Sequence, residues 1–117
     1  MRHHDKYRTL GREKGQRTSL VKSLMRSFII HGGIVTTETR AKELRKYIEP
    51  LITKGKENTL ANRRLLAGKI GDGAAAKKLV EVVSKNHKDR RGGYTRVIKL
   101  PLRKSDGAKM ALIELVK

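Results

Sequence analysis

Met110-Ala111-Leu112-Ile113-Glu114-Leu115-Val116 is the most apolar run in this chain of 117 residues. Apart from Glu114, its side chains are apolar at odd and even positions alike. Successive side chains of a strand point to opposite faces of a sheet, so a run that is apolar on both faces is typical of an interior strand. We therefore predict that this segment is the central strand of a small sheet.

Two further runs predict the other strands. Val97-Ile98-Lys99-Leu100 precedes the central strand, and Ser105-Asp106-Gly107 between the two has the residue types of a hairpin turn. Ile34-Val35-Thr36 is β-branched throughout, which favours an extended conformation. The sequence thus predicts three strands, the last two of them paired as a hairpin.

Four helices are predicted around these strands, in the overall order α-β-α-α-α-β-β. The first carries apolar residues at helical spacing over residues 20–29 and ends before Gly32-Gly33. Thr37, Asn58 and Asp72 have side chains that can accept the free amides at the starts of the second, third and fourth helices.

Two details of these helices follow from helix geometry. Pro50 lies inside the second helix, and we expect a kinked helix to about Lys54 because the proline ring clashes with the carbonyl four residues earlier. The apolar stripe predicted for the fourth helix consists of Ala75, Leu79, Val82 and Val83.

The charge of the chain indicates a polyanionic partner. Lysine and arginine number 29 against 11 acidic residues, which gives a formal net charge of +18. An anionic membrane surface is the alternative, but no segment combines a long apolar face with a basic face and aromatic anchors. No run approaches the roughly 20 apolar residues of a spanning helix. Nucleic acid is therefore predicted and a membrane partner is not.

Length and cysteine content limit how many domains and which stabilising sites the chain can have. The length suits one domain, which we place at residues 12–117 after a basic arm at residues 1–11. There is no cysteine, so a disulfide framework and a cysteine-based zinc site are excluded. The first residues lack the apolar core of a signal peptide, so the expected location is the cytoplasm.

The predicted arm is rich in basic residues, and Leu10 is its only aliphatic residue after Met1. It has too few apolar side chains to offset the entropy cost of ordering, so we expect it to order on its partner. An ordinary frayed terminus is the alternative. The candidate RNA contacts here are Arg2, His3, Lys6, Arg8 and Arg12, followed by Arg17 on the first helix.

Arg90-Arg91-Gly92-Gly93-Tyr94-Thr95-Arg96 is the second candidate contact, a basic loop that leads into a predicted strand. Glycine lets a backbone lie close to a bulky partner, and guanidinium groups match phosphate oxygens two at a time. Tyr94 adds a stacking face and a hydroxyl. A glycine turn with solvated arginines is the alternative. The candidate RNA contacts are Arg90, Arg91, Gly92, Gly93, Tyr94 and Arg96, together with Arg63 and Arg64 on the third helix.

No arrangement of residues predicts catalysis. The acidic residues are scattered singly, mostly beside lysine or arginine, and neither His31 nor His87 has a recognisable partner. Met1-Arg2-His3 could chelate Cu(II) or Ni(II), but the same histidine can bind RNA. We predict no enzyme activity, cofactor, metal site or small-molecule substrate. A DNA-binding accessory or regulatory protein is the alternative, but the sequence shows neither a helix-turn-helix nor a dimer zipper.

Several segments, in their order along nearly the whole chain, resemble the family of bacterial large-subunit ribosomal protein seventeen. Among them are Leu10-Gly11-Arg12 and Glu49-Pro50-Leu51-Ile52-Thr53, and the most specific are residues 91–96 and 110–116. The resemblance implies the α+β class, with a two-layer α/β domain and a small three-stranded mixed sheet whose last strand is central. It also implies a structural constituent of the large ribosomal subunit that contacts large-subunit ribosomal RNA and neighbouring ribosomal proteins.

Overall fold

The structure, a computed structural model, describes residues 14–116. Within that range it has four helices and three strands, and the predicted order α-β-α-α-α-β-β is confirmed. The predicted arm, residues 1–11, lies outside the described range, as does the predicted contact Arg12. The elements are α1 (Lys14–His31), β1 (Gly33–Thr37), α2 (Glu38–Gly55), α3 (Leu60–Ile70), α4 (Gly73–Lys78) with a π-helical continuation (Leu79–Ser84), β2 (Thr95–Leu100) and β3 (Met110–Leu115).

The sheet has the order β1-β3-β2, so the prediction that the last strand is central is confirmed. Ile113 of β3 is paired with Ile34 on one side and with Val97 on the other. The expectation of a mixed sheet is wrong, because β3 is antiparallel to both neighbours. β1 and β2 run in the same direction, but β3 separates them, and a mixed sheet requires two parallel strands to be adjacent.

α1 and α2 cover one face of the sheet, which gives the two-layer α+β architecture, and α3 and α4 pack against these helices. Ala111 and Ile113 point toward the helices and are fully buried. Leu112, between them in sequence, points to the other face and is only partly buried. Its cross-strand partners Val35 and Ile98 are 61% and 39% exposed. The second face of the sheet is therefore open, apolar surface.

The core lies between α1, α2 and the covered face of the sheet, and it continues between these helices and the apolar faces of α3 and α4. The helical spacing of apolar residues in α2 predicts a stripe of Ala41, Leu44, Ile48, Leu51 and Ile52, and all five are buried. The helix continues through Pro50 to Gly55. Close packing of such aliphatic side chains is the main source of stability in a domain of this size. The buried residues of α1 and α2 include Val21, Met25, Phe28, Ile29, Ala41, Leu44, Ile48, Leu51 and Ile52.

Side-chain caps fix where the inner helices begin. Thr37 and Asp72 are N-caps as predicted, and Thr37 accepts from the backbone amide of Arg40 at 3.4 Å. Asn58 is not the cap of α3. Thr59 has that role, accepting from the amide of Asn62 at 3.2 Å. The prediction placed the cap one residue early because Asn and Thr are adjacent and both can cap.

The predicted stripe of the fourth helix is wrong at Val82, which is 46% exposed, whereas Val80 is 4% exposed. The cause is the π-helical winding from Leu79 to Ser84. A π-helix has i→i+5 hydrogen bonds and more residues per turn than an α-helix, so the buried face moves to different positions. Ser84 becomes part of the buried face and donates to the carbonyl of Ile52 at 2.9 Å.

Candidate nucleic-acid interface

Tyr94 is fully buried beneath the basic loop. Its hydroxyl donates to the backbone carbonyl of Arg90 at 3.2 Å and lies 3.0 Å from the hydroxyl of Thr53 in α2. The ring therefore presents no stacking face to a partner in this structure. Tyr94 has a structural role, because its hydroxyl contacts both the start of the loop and the second helix.

Lys56 strengthens the same attachment. Its ammonium lies 4.8 Å from the centre of the Tyr94 ring and donates to the carbonyl of Arg90. Burial raises the pKa of Tyr94, but its contacts with Lys56 and Thr53 outweigh burial and leave that pKa below its ordinary value. The carbonyl of Arg90 thus faces the protein, while the side chain of Arg90 is directed to solvent.

His87 supports the loop from below, although the sequence indicates no partner for it and a catalytic partner is not among its contacts in the described residues. It is buried, with Nδ1 2.8 Å from the carbonyl oxygen of Val83 and Nε2 in contact with the carbonyl of Val116. Its ring stands edge-on to Tyr94, with centroids 5.8 Å apart and planes at 86°. The only signal in the sequence is the four-residue spacing from Val83 to His87, which puts both on one helix face.

Glu49 fixes the other end of the loop. Its Oε1 accepts from the backbone amide of Thr95 at 3.2 Å and from the Thr95 hydroxyl at 2.8 Å. The guanidinium of Arg45, one turn earlier on α2, lies 3.6 Å from the same oxygen. Both ends of the loop are therefore attached to α2, which limits how far the tip between them can move.

The tip of the loop consists of Arg91, Gly92 and Gly93, and all three are exposed. Gly93 has φ +62, a conformation that side chains rarely adopt, whereas Gly92 has no positive φ. A Cβ added at either glycine would meet nothing within 4 Å. The turn explains the glycine at position 93. Nothing within the described residues requires a glycine at position 92. A partner that lies close to the backbone there would require one.

Arg96 does not join the arginines of the tip. It lies on the open face of the sheet, where its Nε and Nη2 donate to Glu114 at 3.0 and 2.7 Å. This pairing follows from the register, because Arg96 and Glu114 are directly opposite each other on β2 and β3. The sequence grouped Arg96 with its neighbours along the chain, but strand alternation turns it away from them.

The remaining predicted contacts lie on three separate parts of the chain. Arg63 and Arg64 are exposed on α3, and Arg63 donates to the side chain of Asn58 at 2.6 Å. Arg17 is half-exposed on α1. The contacts predicted in the arm lie outside the described residues, namely Arg2, His3, Lys6, Arg8 and Arg12.

A basic groove between α1 and α2 was not predicted. It has a volume of about 500 Å³. A second groove of about 440 Å³ lies between α2 and the loop and is lined in part by Arg91 and Gly92. Lys46 and Pro50 line both grooves, so the two form one surface. The cations of the first groove are Lys14, Arg17, Lys22, Lys46 and Lys69.

Within residues 14–116, most carboxylates are ion-paired with lysine or arginine rather than grouped. Glu38 accepts from Lys42 at 2.9 Å, and this contact holds the pKa of Glu38 below its usual range. Within residues 14–116 no group of three or more His, Cys, Asp or Glu side chains could hold a metal ion. In the same range, none of the helices is both long and apolar enough to cross a membrane.

Comparison with known proteins identifies the family. Residues 20–116 match the family described as Ribosomal protein L17. The chain is 53% identical over 106 residues to the large ribosomal subunit protein bL17 of Mycoplasmopsis pulmonis, covering 86% of this chain and 88% of that protein. It is 46% identical over 116 residues to the bL17 proteins of Erythrobacter litoralis and Fusobacterium nucleatum, covering 99% of this chain and 83% and 100% of those proteins. These matches extend over the helices, the loop and all three strands, and the chain therefore belongs to the ribosomal protein L17 family.

Proposed function

We propose that the chain is a structural constituent of the large ribosomal subunit, where it binds and stabilises folded large-subunit ribosomal RNA. The names of its relatives and the net charge of +18 support this role. It works in the cytoplasm, within the ribosome and beside neighbouring ribosomal proteins. Members of this family are structural proteins, and the role needs no catalysis, cofactor or small-molecule substrate.

The observation that carries the proposal is the continuous basic surface from α1 through α2 to the loop. Lys46 and Pro50 belong to both of its grooves, so the cations of α1 are connected to Arg91. Within residues 14–116 the side chain of Arg91 has no hydrogen bond or ion pair. An exposed guanidinium with all its donors available suits a phosphate group, for which it offers a planar fork.

The scaffold under the loop supplies rigidity. Tyr94, Lys56 and Glu49 hold the two ends of the loop, so Arg90 and Arg91 are presented without the entropy cost of ordering a free segment. Such a loop can follow the shape of a folded RNA backbone, which is how proteins recognise most double-stranded RNA. The arm at residues 1–11 adds further cations to the same partner.

A charge-matched pair of variants tests the loop. Arg91→Ala and Arg103→Ala remove the same charge, but Arg103 lies on the β2–β3 turn and is already paired with Asp106 at 2.6 Å. On fragments of large-subunit RNA, Arg91→Ala should weaken binding and lower the slope of log affinity against log salt by about one. Arg103→Ala should change both much less. Equal losses would show that binding follows net charge alone and would contradict the role of the loop.

The glycines of the tip give a second test. Gly92→Ala adds a methyl group in open space without strain, so the folded protein should keep its stability. If the backbone lies against RNA, the same methyl group should weaken binding. Gly93→Ala should also cost stability because its φ is positive. Undiminished RNA binding by a stable Gly92→Ala variant would exclude close approach at this position.

Membership of the large subunit has its own test. Tagged protein should sediment with large subunits and should lose that position after ribonuclease treatment. Sedimentation that survives ribonuclease would contradict the proposed function.

A further inference from the structure

The two edges of the sheet differ in how they are protected against pairing with another chain. At the β2 edge, Lys99 is exposed, Pro101 follows the strand, and the amide of Thr95 is bonded to Glu49. Charged side chains and proline are the usual devices that keep an edge strand from adding a further strand. β1 contains neither a charged residue nor proline. The edge formed by β1 is therefore the unprotected one.

The backbone of β1 offers hydrogen-bonding groups at this edge. Leu115 donates to the carbonyl of Gly32 at 3.1 Å, and Glu38 donates to the carbonyl of Lys109 at 2.9 Å. Because the bonded positions of an antiparallel pair alternate, the amide and carbonyl of Val35 point away from β3. In the described part of the chain these two groups have no hydrogen-bond partner. Val35 therefore combines a free amide, a free carbonyl and an exposed aliphatic side chain.

The open face of the sheet beside this edge carries no net charge. Its apolar stripe crosses all three strands at Val35, Leu112 and Ile98. The only charged side chains that the strands direct to this face are Arg96 and Glu114, which neutralise each other at 2.7 Å. In a chain with a net charge of +18, this face lacks the cations that a polyanion needs. An uncharged, aliphatic face matches the surface of another protein.

We propose that the edge of β1 receives an extended segment of a neighbouring protein of the large subunit. The segment adds a fourth strand to the sheet, and its backbone bonds to the amide and carbonyl of Val35. Every second side chain of the segment is aliphatic and packs on the open face next to Val35. A second copy of this chain fits less well, because two net charges of +18 would be brought together. The inference rests on the proposed function, since the partner is another component of the subunit.

Photo-cross-linking in purified large subunits tests the partner. With Val35→p-benzoylphenylalanine, the probe should cross-link to one other ribosomal protein. Mass spectrometry should map the cross-link to an extended run with aliphatic residues at alternate positions. The same probe at Lys99, on the protected edge, should not reach that run. A cross-link from position 35 to RNA or to a second copy, or no cross-link at all, would overturn the inference.

A matched pair of lysine substitutions tests the edge without a bulky probe. Val35 and Leu102 are both 61% exposed, and Leu102 lies in the β2–β3 connection, away from β1. In cells that also make the parent protein, Val35→Lys should be depleted several-fold from large subunits, whereas Leu102→Lys should be incorporated like the parent. Both isolated variants should keep the melting temperature and the binding to RNA fragments, because both positions are exposed.

The outcomes separate the two proposals. Equal incorporation of Val35→Lys and Leu102→Lys would overturn the docking of a strand at β1 and leave the proposed function standing. Absence of the parent protein from large subunits would overturn both.

Discussion

The carboxylate of Glu49 in α2 accepts two hydrogen bonds from Thr95 at the start of β2, at 3.2 Å from the amide and 2.8 Å from the hydroxyl. Thr95 is buried, so its hydroxyl has no water to replace this carboxylate. The pair joins the loop to the helix that also forms the wall of both grooves. The position of the loop therefore depends on a contact outside its tip, at the start of β2.

Thr95→Val should lower the free energy of unfolding by about 1.5–3 kcal/mol, because the variant keeps the shape but loses a hydrogen bond to a charged group. Urea denaturation measures the change. Thr18→Val is the matched control, since within residues 14–116 the Thr18 hydroxyl bonds only to the carbonyl of Lys14, at an exposed position of α1. The control should change stability by no more than about 0.5 kcal/mol. Equal effects of the two substitutions would contradict the anchoring role of Glu49.

Tyr94→Phe should reduce stability by about 1 kcal/mol through loss of the hydroxyl contacts with Arg90 and Thr53. The affinity for RNA should change little, because the ring is buried and stays in place. Tyr94→Ala removes the ring as well and should cost about 3–5 kcal/mol, as truncation of a buried aromatic side chain does. Thermal melts and RNA titrations separate the two effects. A Tyr94→Phe variant of full stability that binds RNA poorly would show a direct contact instead.

Gly55→Ala should destabilise the protein by about 1–3 kcal/mol, the usual cost of overpacking. A Cβ at position 55 would lie 2.4 Å from Oγ of Ser84 in the π-helical segment, so either the Ser84 hydroxyl loses its bond to the carbonyl of Ile52 or the two helices move apart. Gly68→Ala in α3 is the control, because a Cβ there meets nothing within 4 Å. The control should gain up to about 1 kcal/mol from helix propensity. Urea denaturation should show changes of opposite sign in the free energy of unfolding of the two variants. A Gly55→Ala variant as stable as the parent would refute the close packing.

The carboxyl group of Asp106 should titrate near pH 2. The Arg103 guanidinium, followed by the amide of Ala108, lowers the pKa of Asp106 from 3.8 to about 2. Because the folded pKa is the lower one, the contribution of this pair to stability is present above about pH 3.8 and is lost as the pH falls toward 2. Carbon NMR of the side chain measures the titration. Arg103→Gln should move the midpoint back toward 3.8, and an unchanged midpoint would disprove the assignment of the cause.

Removal of residues 1–11 should weaken RNA binding strongly and leave the melting temperature nearly unchanged. The reason is their composition, which offers several cations but few apolar side chains to pack on the domain. Calorimetry and RNA titration of the shortened protein measure the two quantities. A large fall in melting temperature would mean instead that this segment packs on the domain.

Local signals predicted most of the fold. The order of elements, the caps at Thr37 and Asp72 and the central position of β3 all follow from residue types within a few positions of each other. The π-helical winding after Lys78 has no comparable signal in the sequence, and it brings Ser84 against Gly55 and Ile52 of another helix. Helical periodicity alone could therefore not predict that Val82 is exposed.

The site was predicted less well because it is assembled from distant segments. Arg91 and Gly92 are at the exposed tip as expected, but Arg96 is turned away and Tyr94 is buried. The groove between α1 and α2 takes its cations from α1, α2 and α3, which no single stretch of sequence brings together. Charge composition predicts a polyanionic partner, and the surface that we propose for it is visible only in the fold.

The central position of β3 also sets the order in which the protein can be completed during its own synthesis. β1 hydrogen-bonds only to β3 within the sheet, and three helices and β2 are translated between them. Until β3 leaves the exit tunnel, β1 and β2 have no strand to pair with and the helices have no finished sheet to cover. Contacts between such distant segments form slowly, because the intervening chain must be closed into a loop first. The nascent chain therefore carries helices early and obtains its sheet last, when its final described strand is released.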